Sequence, residues 1–197
     1  MPLRRPPLAG FTLLELLLVV AIVGILAAIV LPSAQPAIYD QLRSTAQIVA
    51  TDLAYARSLA VANNSSYRVT LDLSGNRYVL AHSGANPALK VLPPSPFSSP
   101  GDPPDQHIVK LGDLPHVGPA VRLAAAATSG TSVQSVNDVE FGPLGQTTRP
   151  DPTTIWLAAG GGDQKRYIAL EVSPVTGLIQ IDGYSNVGPP TGVSQVP

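Results

Sequence analysis

The size and composition of the chain set the first limits on what it can be. It has 197 residues, with 12 Lys and Arg against 13 Asp and Glu, and a formal net charge of −1. It contains no cysteine, which excludes a disulfide framework, a thiolate nucleophile and a cysteine-based zinc site. No run of basic residues follows the N-terminal segment, so nucleic acid is not expected to be a principal partner.

The first element is a long apolar run over residues 11–31, in which only Thr12 and Glu15 are polar. A helix of this length covers about 31 Å at about 1.5 Å per residue, close to the hydrocarbon thickness of a bilayer. We therefore predict a transmembrane helix over residues 11–31. Arg4 and Arg5 precede it, so the positive-inside rule places the N-terminus in the cytoplasm and the rest of the chain outside.

Glu15 is the unusual residue of this run. A carboxylate in the middle of a membrane helix costs about 2.5 to 3.5 kcal/mol on insertion scales, and less near an end. This cost indicates a functional residue with a cationic partner in the same apolar layer. A secretory signal peptide cut near Ala34 and a simple signal anchor are alternative interpretations of the run. Neither gives a reason for the carboxylate.

Arg4 and Arg5 are followed by the residues Gly10-Phe11-Thr12-Leu13-Leu14-Glu15, which lead into the apolar helix. This arrangement resembles the leader of type IV pilins and type II secretion pseudopilins. The resemblance implies that prepilin peptidase cuts between Gly10 and Phe11 and methylates the new amine of Phe11. Residues 1–10 would then be a cleaved leader. Glu15 would pair with the terminal amine of a neighbouring subunit, so that two charges are neutralised together in an apolar layer.

An amphipathic helix is predicted next, over residues 32–64. Its apolar residues recur at helical spacing: Ile38, Leu42, Ala46, Val49, Leu53, Ala56 and Ala60. Asn63 and Asn64 tolerate left-handed backbone and are predicted to end the helix. We expect this helix to continue the membrane helix outward and to pack its apolar face on a sheet.

Antiparallel β structure is predicted over residues 65–183. Apolar and polar residues alternate from 67 to 73, and Ser74-Gly75-Asn76 separates this run from residues 77–82, as in a hairpin. Further strands are predicted at residues 107–111, 120–124, 138–141, 154–157, 166–172 and 178–181. Residues 83–106 hold seven prolines and are predicted to be an extended or mobile insertion. Residues 184–197 are predicted to be a flexible tail.

The order of these elements predicts an α+β fold, in which a long N-terminal helix packs on antiparallel sheet structure, and the resemblance implies that this fold is pilin-like. It resembles the branch of minor pseudopilin H and minor pilin FimT. The helix end over residues 52–64, the hairpin and Val139-Glu140-Phe141-Gly142-Pro143-Leu144-Gly145 carry that resemblance. It implies a single-pass protein of the inner membrane, with its C-terminal domain in the periplasm.

No catalytic constellation is visible in the sequence, and an enzyme is not expected. His82, His107 and His116 form no ligand-spaced pair on one predicted element, and no Gly-x-Ser-x-Gly or Walker-type loop occurs. The stretch Gly160-Gly161-Gly162-Asp163 joins two strand patterns and lacks the following Lys-Ser/Thr of a phosphate loop, so it is predicted to be a hairpin loop. No cofactor is predicted.

The acidic residues of the proline-rich insertion do not suggest a metal site. Asp102 and Asp105 lack the alternating oxygen-ligand spacing of a calcium loop, and solvated loop acids are the simpler interpretation. Calcium, which some major pseudopilins of the resembled superfamily bind, is therefore not predicted, and neither is any other metal.

The function that fits these observations is that of a minor pseudopilin in a type II secretion system. The resemblance implies that its partners are prepilin peptidase, other pseudopilins or pilins, the inner membrane and secreted protein cargo. A FimT-like minor type IV pilin, acting in pilus assembly or DNA uptake, is one alternative. An anchored periplasmic enzyme or lectin-like binding module is another. Residues 179–197 contain no Lys or Arg, which argues against a DNA-binding tail because phosphate contacts need such side chains.

Overall fold

The computed structural model describes residues 12–30, 38–94, 101–114, 121–130 and 132–195. The contacts divide the chain into two units, Met1–Pro36 and Ala37–Pro197. Within the described residues, the first unit contains one α-helix, and the second contains one α-helix and eight strands.

The helix of the first unit, α1, spans Leu13–Val30. Thr12 precedes it and accepts hydrogen bonds through its carbonyl oxygen from the amides of Glu15 and Leu16, at 3.1 and 3.2 Å. The ends of the predicted membrane span, Phe11 and Leu31, lie outside the described residues. Among the residues described, no helix combines the length and the apolarity that crossing a membrane requires.

The helix of the second unit, α2, spans Ile38–Ala62 and has one buried face. The buried residues are Leu42, Thr45, Ala46, Val49, Leu53, Ala56 and Ala60. This face follows the apolar periodicity of the sequence from Leu42 onward, whereas Ile38 at the first turn is exposed. After Ala62 the chain leaves the helix, and Asn64 takes a φ of 46°, the left-handed conformation that asparagine tolerates well.

The strands form two antiparallel sheets. The strands are β1 Tyr67–Asp72, β2 Arg77–His82, β3 Gln106–Lys110, β4 Val121–Thr128, β5 Asp138–Phe141, β6 Thr153–Ala159, β7 Arg166–Val172 and β8 Ile179–Ser185. Sheet 1 has the order β3-β2-β1-β5, and sheet 2 has the order β4-β6-β7-β8. Every adjacent pair is antiparallel, which confirms the predicted α+β architecture.

One hydrophobic core lies between α2 and the two sheets. Helix α2 contacts strands of both sheets, and its buried face supplies Leu42, Val49 and Leu53 to the core. Sheet 1 contributes Tyr67 and Phe141, which are among the largest buried side chains. The inward residues alternate with outward ones along β1 and β5, as expected for strands with one buried face.

Strands β4 and β8 both run about four residues further than the sequence indicates. Strand β4 continues through Ala124–Ala127 to Thr128, although alanine has low β propensity. Burial explains this extension, since all four alanines are buried. Strand β8 reaches Ser185, beyond the expected domain boundary at Gly183. Further along, Pro189 and Val193 of the expected flexible tail are buried.

The proline-rich insertion is more closely tied to the core than its composition suggests. Pro87–Leu89 forms a short 3₁₀ helix capped by the side chain of Asn86. Leu92 is buried in the core, and its amide donates to the carbonyl oxygen of Pro104 at 3.0 Å. Its two described ends are therefore joined to each other and to the domain.

Candidate functional site

The predicted site residues at the N-terminus fall into two groups. Gly10 and Phe11 lie outside the described residues. Glu15 lies in the first turn of α1 and is exposed. Its amide donates to the side-chain oxygen of Thr12 at 3.2 Å, so Thr12 acts as the N-cap of the helix. The sequence analysis missed this role, although the Thr-x-x-Glu spacing is the signature of a capping box.

The first turn of α1 is a favourable position for the carboxylate of Glu15. A negative charge in the first turn is stabilised by the partial positive charge of the helix N-terminus. None of the ion pairs between described residues involves Glu15.

The side chains of α1 are apolar on every side of the helix except at Glu15. In the part of α1 whose side chains are described, the large apolar residues are exposed, from 82% at Leu13 to 49% at Ile22. A helix that is hydrophobic all round is typical of one buried in a large core or a membrane. Helix α1 has this all-round apolar surface apart from Glu15.

An ion-pair network covers part of sheet 1. Arg68 on β1 contacts both Asp138 and Glu140 on β5, at 3.3 and 2.9 Å. Arg149 pairs with the carboxylate of Asp138 and also donates to its carbonyl oxygen at 2.7 Å. Ser83 donates to Glu140 at 2.6 Å. Guanidinium groups thus neutralise both acids, and no group of residues in the described ranges could hold a metal ion.

A polar cluster is enclosed between α2 and sheet 1. Tyr78 donates a hydrogen bond to the carboxylate of Asp52, and the ring of His107 stacks on Tyr55 with centroids 6.1 Å apart. Burial raises the pKa of Asp52, and the hydrogen bond from Tyr78 opposes that rise. Burial, together with the charge of Asp52, raises the pKa of Tyr78.

The cavity in this cluster has a volume of about 30 Å³, which is enough for about one water molecule but not for a substrate. The Nε2 atom of His107 lies 2.5 Å from the carbonyl oxygen of Pro93. His107 therefore ties the proline-rich insertion to sheet 1. The arrangement is a structural contact.

His82 pairs with Ser65, but the pair has no space for a substrate. The hydroxyl of Ser65 lies 2.7 Å from Nε2 of His82, which is within reach for a nucleophile and a base. Gly84 covers that hydroxyl so closely that even an added Cβ would collide with it. The Nδ1 atom of His82 has no hydrogen-bond partner among the described residues, so no third group orients the ring. His116 lies outside the described residues.

Two loops meet at the C-terminal end of α2. The loop Gly142–Gly145 belongs to the motif noted in the sequence, and the turn Pro174–Gly177 joins β7 to β8. Arg57 donates to the carbonyl oxygen of Thr176 at 2.7 Å. An added Cβ on Gly177, whose φ is 63°, would collide with the carbonyl oxygen of Gly145. Glycine is therefore required for this close approach.

These loops and the helix end expose apolar side chains. The helix-end patch consists of Val61, Leu144, Val175 and Leu178, which are 48%, 84%, 78% and 59% exposed. An open groove of about 570 Å³ lies beside it, between α2 and β8, and is lined partly by Ala50, Ala54 and Ile181. Exposed apolar surface of this kind is typical of protein–protein contacts.

Two further features from the sequence analysis lie in different segments of the fold. One is the loop between β6 and β7, and the other is the pair of acids in the proline-rich insertion. Gly160 follows β6 with a φ of 83°, and Gly162–Gln164 forms a 3₁₀ turn before β7. This stretch therefore connects two adjacent antiparallel strands, as a hairpin loop does. Asp102 and Asp105 lie on the segment that leads into β3.

Comparison with known proteins adds evidence for the N-terminus and the fold. Residues 9–31 match the family model of the prokaryotic N-terminal methylation motif. No curated protein matches the sequence. The minor pseudopilin EpsH from the type II secretion system of Vibrio cholerae is structurally similar, with 12% identity and a TM-score of 0.50, over 72% of this chain and 95% of that chain.

Another similar structure is the type IV minor pilin FimU of Pseudomonas aeruginosa. It has 19% identity and a TM-score of 0.45, over 72% of this chain and 88% of that chain. The fold is that of an α+β, pilin-like protein. The methylation motif and this fold confirm the resemblance to the superfamily of type IV pilins and type II secretion pseudopilins.

Proposed function

We propose that this protein is a minor pseudopilin of a type II secretion system, anchored in the inner membrane by α1, with a cytoplasmic N-terminus and a periplasmic outer domain. The observation that carries the proposal is a helix that is apolar all round except for one carboxylate in its first turn. That helix lies inside a match to the N-terminal methylation motif.

The exposed apolar side chains of α1 support membrane anchoring followed by filament assembly. Burying a side chain such as Leu13 or Leu17 is worth about 1.5 to 3 kcal/mol, and both are more than 60% exposed. A helix of this kind is stable in lipid or packed against other apolar helices. A subunit that moves from the membrane into a filament core keeps these side chains buried in both states.

Processing supplies the cation that Glu15 needs. A cut between Gly10 and Phe11 by prepilin peptidase creates an α-amine at Phe11, which is methylated and remains cationic. In the filament the amine of one subunit pairs with Glu15 of its neighbour. The pairing is favoured in an apolar layer, since separated charges are costly there. The pairing favours an alignment of neighbouring subunits in which the amine and Glu15 lie at the same depth in the apolar layer.

The outer domain acts by contact with other proteins. The polar side chains in the clusters around Asp52, His82 and Asp138 already form hydrogen bonds and ion pairs within the domain. Its helix-end patch and the adjacent groove offer apolar surface to other pseudopilins or to secreted cargo. Such a role needs no cofactor and no metal.

A minor type IV pilin is the second candidate, because pilins and pseudopilins share the methylation motif and the fold. A FimT-like role in DNA uptake is less well supported. Phosphate contacts require Lys or Arg, and residues 179–197 carry neither.

Two measurements test the proposal. Mass spectrometry of the protein extracted from its native membrane should give a mature chain that begins at N-methylated Phe11. An intact leader, or a terminus near Ala34, would show that the protein is not processed as a prepilin. Deletion of the gene should then abolish secretion of exoproteins and leave surface pili and DNA uptake intact. The opposite pattern would assign the protein to a pilus.

A further inference from the structure

The chain crosses the outer side of sheet 2 after strand β8. We call residues 186–195 the C-terminal strap. Gly188 lies against the ring of Tyr167 on β7, since a Cβ added to it would lie 2.8 Å from Cζ. Further along, the amide of Ser194 donates to the hydroxyl of Ser135 at 2.8 Å. The strap therefore runs from the β8 edge of sheet 2 toward the segment that follows β4.

The strap covers a second apolar face of sheet 2. Ala125, Ala127 and Trp156, which we call the alanine face, pack with Val193 of the strap in a cluster separate from the main core. Ala125 is opposite Trp156 in the ladder between β4 and β6, so the two share one side of the sheet. Their neighbours Ala126 and Ile155 point into the main core. Sheet 2 is thus apolar on both sides, and the strap covers the outer one.

Few contacts hold the strap in place. Of its ten residues only Pro189 and Val193 are buried, and the others are exposed or half-buried. Its bond to Ser135 ends on a side chain, and none of the ladder pairs within the described residues involves the strap. Segments with few buried contacts open locally while the rest of the protein stays folded.

The backbone near the start of the strap favours an extended course. Pro189 and Pro190 fix φ near −65° and lack amide hydrogens. Such pairs favour an extended, stiff segment. Between the end of β8 at Ser185 and this pair lie Asn186, Val187 and Gly188, and the first two are exposed. A short flexible joint followed by a stiff segment lets an opened strap project away from its own sheet.

We infer that the alanine face is an interaction surface for the strap of a second copy of this chain. The structure itself shows which residues fit this face, because its own strap occupies it. A strap exchanged between two copies makes the same contacts as the closed one, so exchange is a low-cost route to association. The balance between closed and exchanged forms is then set by local protein concentration. This inference does not depend on processing or on secretion.

The absence of cysteine from the sequence allows the exchange to be trapped. Ser135 and Ser194 are both exposed, so cysteine at either place should not disturb folding. Their hydrogen bond of 2.8 Å keeps the two Cα atoms within about 6.7 Å, inside the range that a disulfide spans. In detergent, full-length Ser135→Cys and Ser194→Cys variants would be mixed in equal amounts and oxidised.

The expected product is a disulfide-linked heterodimer whose yield rises with protein concentration. The matched control mixes Ser194→Cys with Ser58→Cys, an exposed position on α2, and should give several-fold less. Adding Val193→Asp to the Ser194→Cys chain should remove the heterodimer. A yield no higher than the control, or no effect of Val193→Asp, would overturn the inference.

Two further readouts check the position of the strap. The double variant carrying both cysteines should form an internal disulfide when it is oxidised at low concentration. The single tryptophan of the chain, Trp156, should show red-shifted emission in Val193→Asp, because its cover is lost. Failure of the internal disulfide, or unchanged emission, would show that the strap does not lie on the alanine face in solution.

Discussion

Helices α1 and α2 are both rich in apolar residues, but they differ in how those residues are arranged. In α1 they surround the helix, and those whose side chains are described are exposed. In α2 they lie on one face, which is buried against the two sheets. Helix α2 therefore buries its apolar residues within its own chain, whereas the described apolar side chains of α1 stay exposed. In the proposed function, α2 belongs to the part that folds within one chain and α1 to the part that assembles.

The largest expected effect is at the peptide bond that precedes α1. Replacing Gly10 with leucine should leave nearly all of the protein as uncut precursor, because the peptidase pocket beside the scissile bond must accept a residue without a side chain. The mass of the membrane-extracted protein measures this. Leu8→Val is the matched control and should be processed normally. Complete processing of Gly10→Leu would contradict the proposed cleavage site.

Loss of the α1 carboxylate should impair assembly without impairing insertion. In the proposed filament, Glu15→Leu removes the partner of a buried amine, and breaking such a pair typically costs about 3 to 5 kcal/mol. Crosslinking to partner pseudopilins in cells, at matched membrane levels, should therefore fall sharply, while cleavage after Gly10 continues. Glu15→Asp, which keeps a carboxylate at the same position, is the control. Undiminished crosslinking of Glu15→Leu would mean that Glu15 is not an assembly ion-pair partner.

The same change of leucine to alanine should destabilise the outer domain in α2 but not in α1. Leu53 on α2 is 1% exposed, so Leu53→Ala should lower the free energy of unfolding of the outer domain by about 2 to 5 kcal/mol. Leu17 on α1 is 64% exposed, and Leu17→Ala should leave that unfolding transition unchanged. Denaturant unfolding of both full-length variants in detergent gives the two values. A similar loss in both would refute the division into two units.

A smaller loss of unfolding free energy is expected from a substitution where the two loops meet the end of α2. Gly177→Ala places a Cβ at a positive φ and against the carbonyl oxygen of Gly145, which should cost about 1 to 3 kcal/mol of unfolding free energy. Gly161→Ala is the matched control, because Gly161 has a φ of −141° and open space around its Cβ position. Its stability should stay within about 0.5 kcal/mol of the wild type. Equal stability of the two variants would contradict the loop contact.

The smallest effect is expected at Asp52, and it should depend on pH. Because burial raises the pKa of Asp52 in the folded protein, the proton is bound more tightly in the folded than in the unfolded state. The stabilisation from this tighter proton binding is fully present below the pKa of Asp52 in the unfolded chain. It is lost as pH rises through the pKa of Asp52 in the folded protein. Asp52→Asn should therefore stabilise the domain at neutral pH, and this gain should shrink toward pH 4. Urea unfolding of both proteins at several pH values measures it, and a gain independent of pH would contradict the stated cause.

Much of the fold follows from local patterns. The α2 stripe from Leu42 to Ala60 repeats at helical spacing, and the alternating residues of β1 lie alternately inside and outside the sheet. The composition of α1, apolar apart from Glu15, likewise indicates a helix without a polar face. Each of these features depends only on which residues are a few positions apart in the chain, so the sequence alone was enough to predict them.

The residues around Glu15 show what a local sequence motif can predict and what it cannot. The sequence predicted its position next to the expected cleavage site, and the structure adds the Thr12 cap. That cap was also readable from the Thr-x-x-Glu spacing. The partner of Glu15 belongs to another molecule in the proposed filament, so no pattern within this chain specifies it.

Only the tertiary structure decided which distant residues meet. The contact between Gly145 and Gly177, the hydrogen bond from Tyr78 to Asp52 and the packing of Val193 on the alanine face each join segments far apart in sequence. Residues 184–197 were expected to be a flexible tail. Local periodicity shows which face of an element is apolar, but burial of a single acid or of a tail depends on which element packs against it.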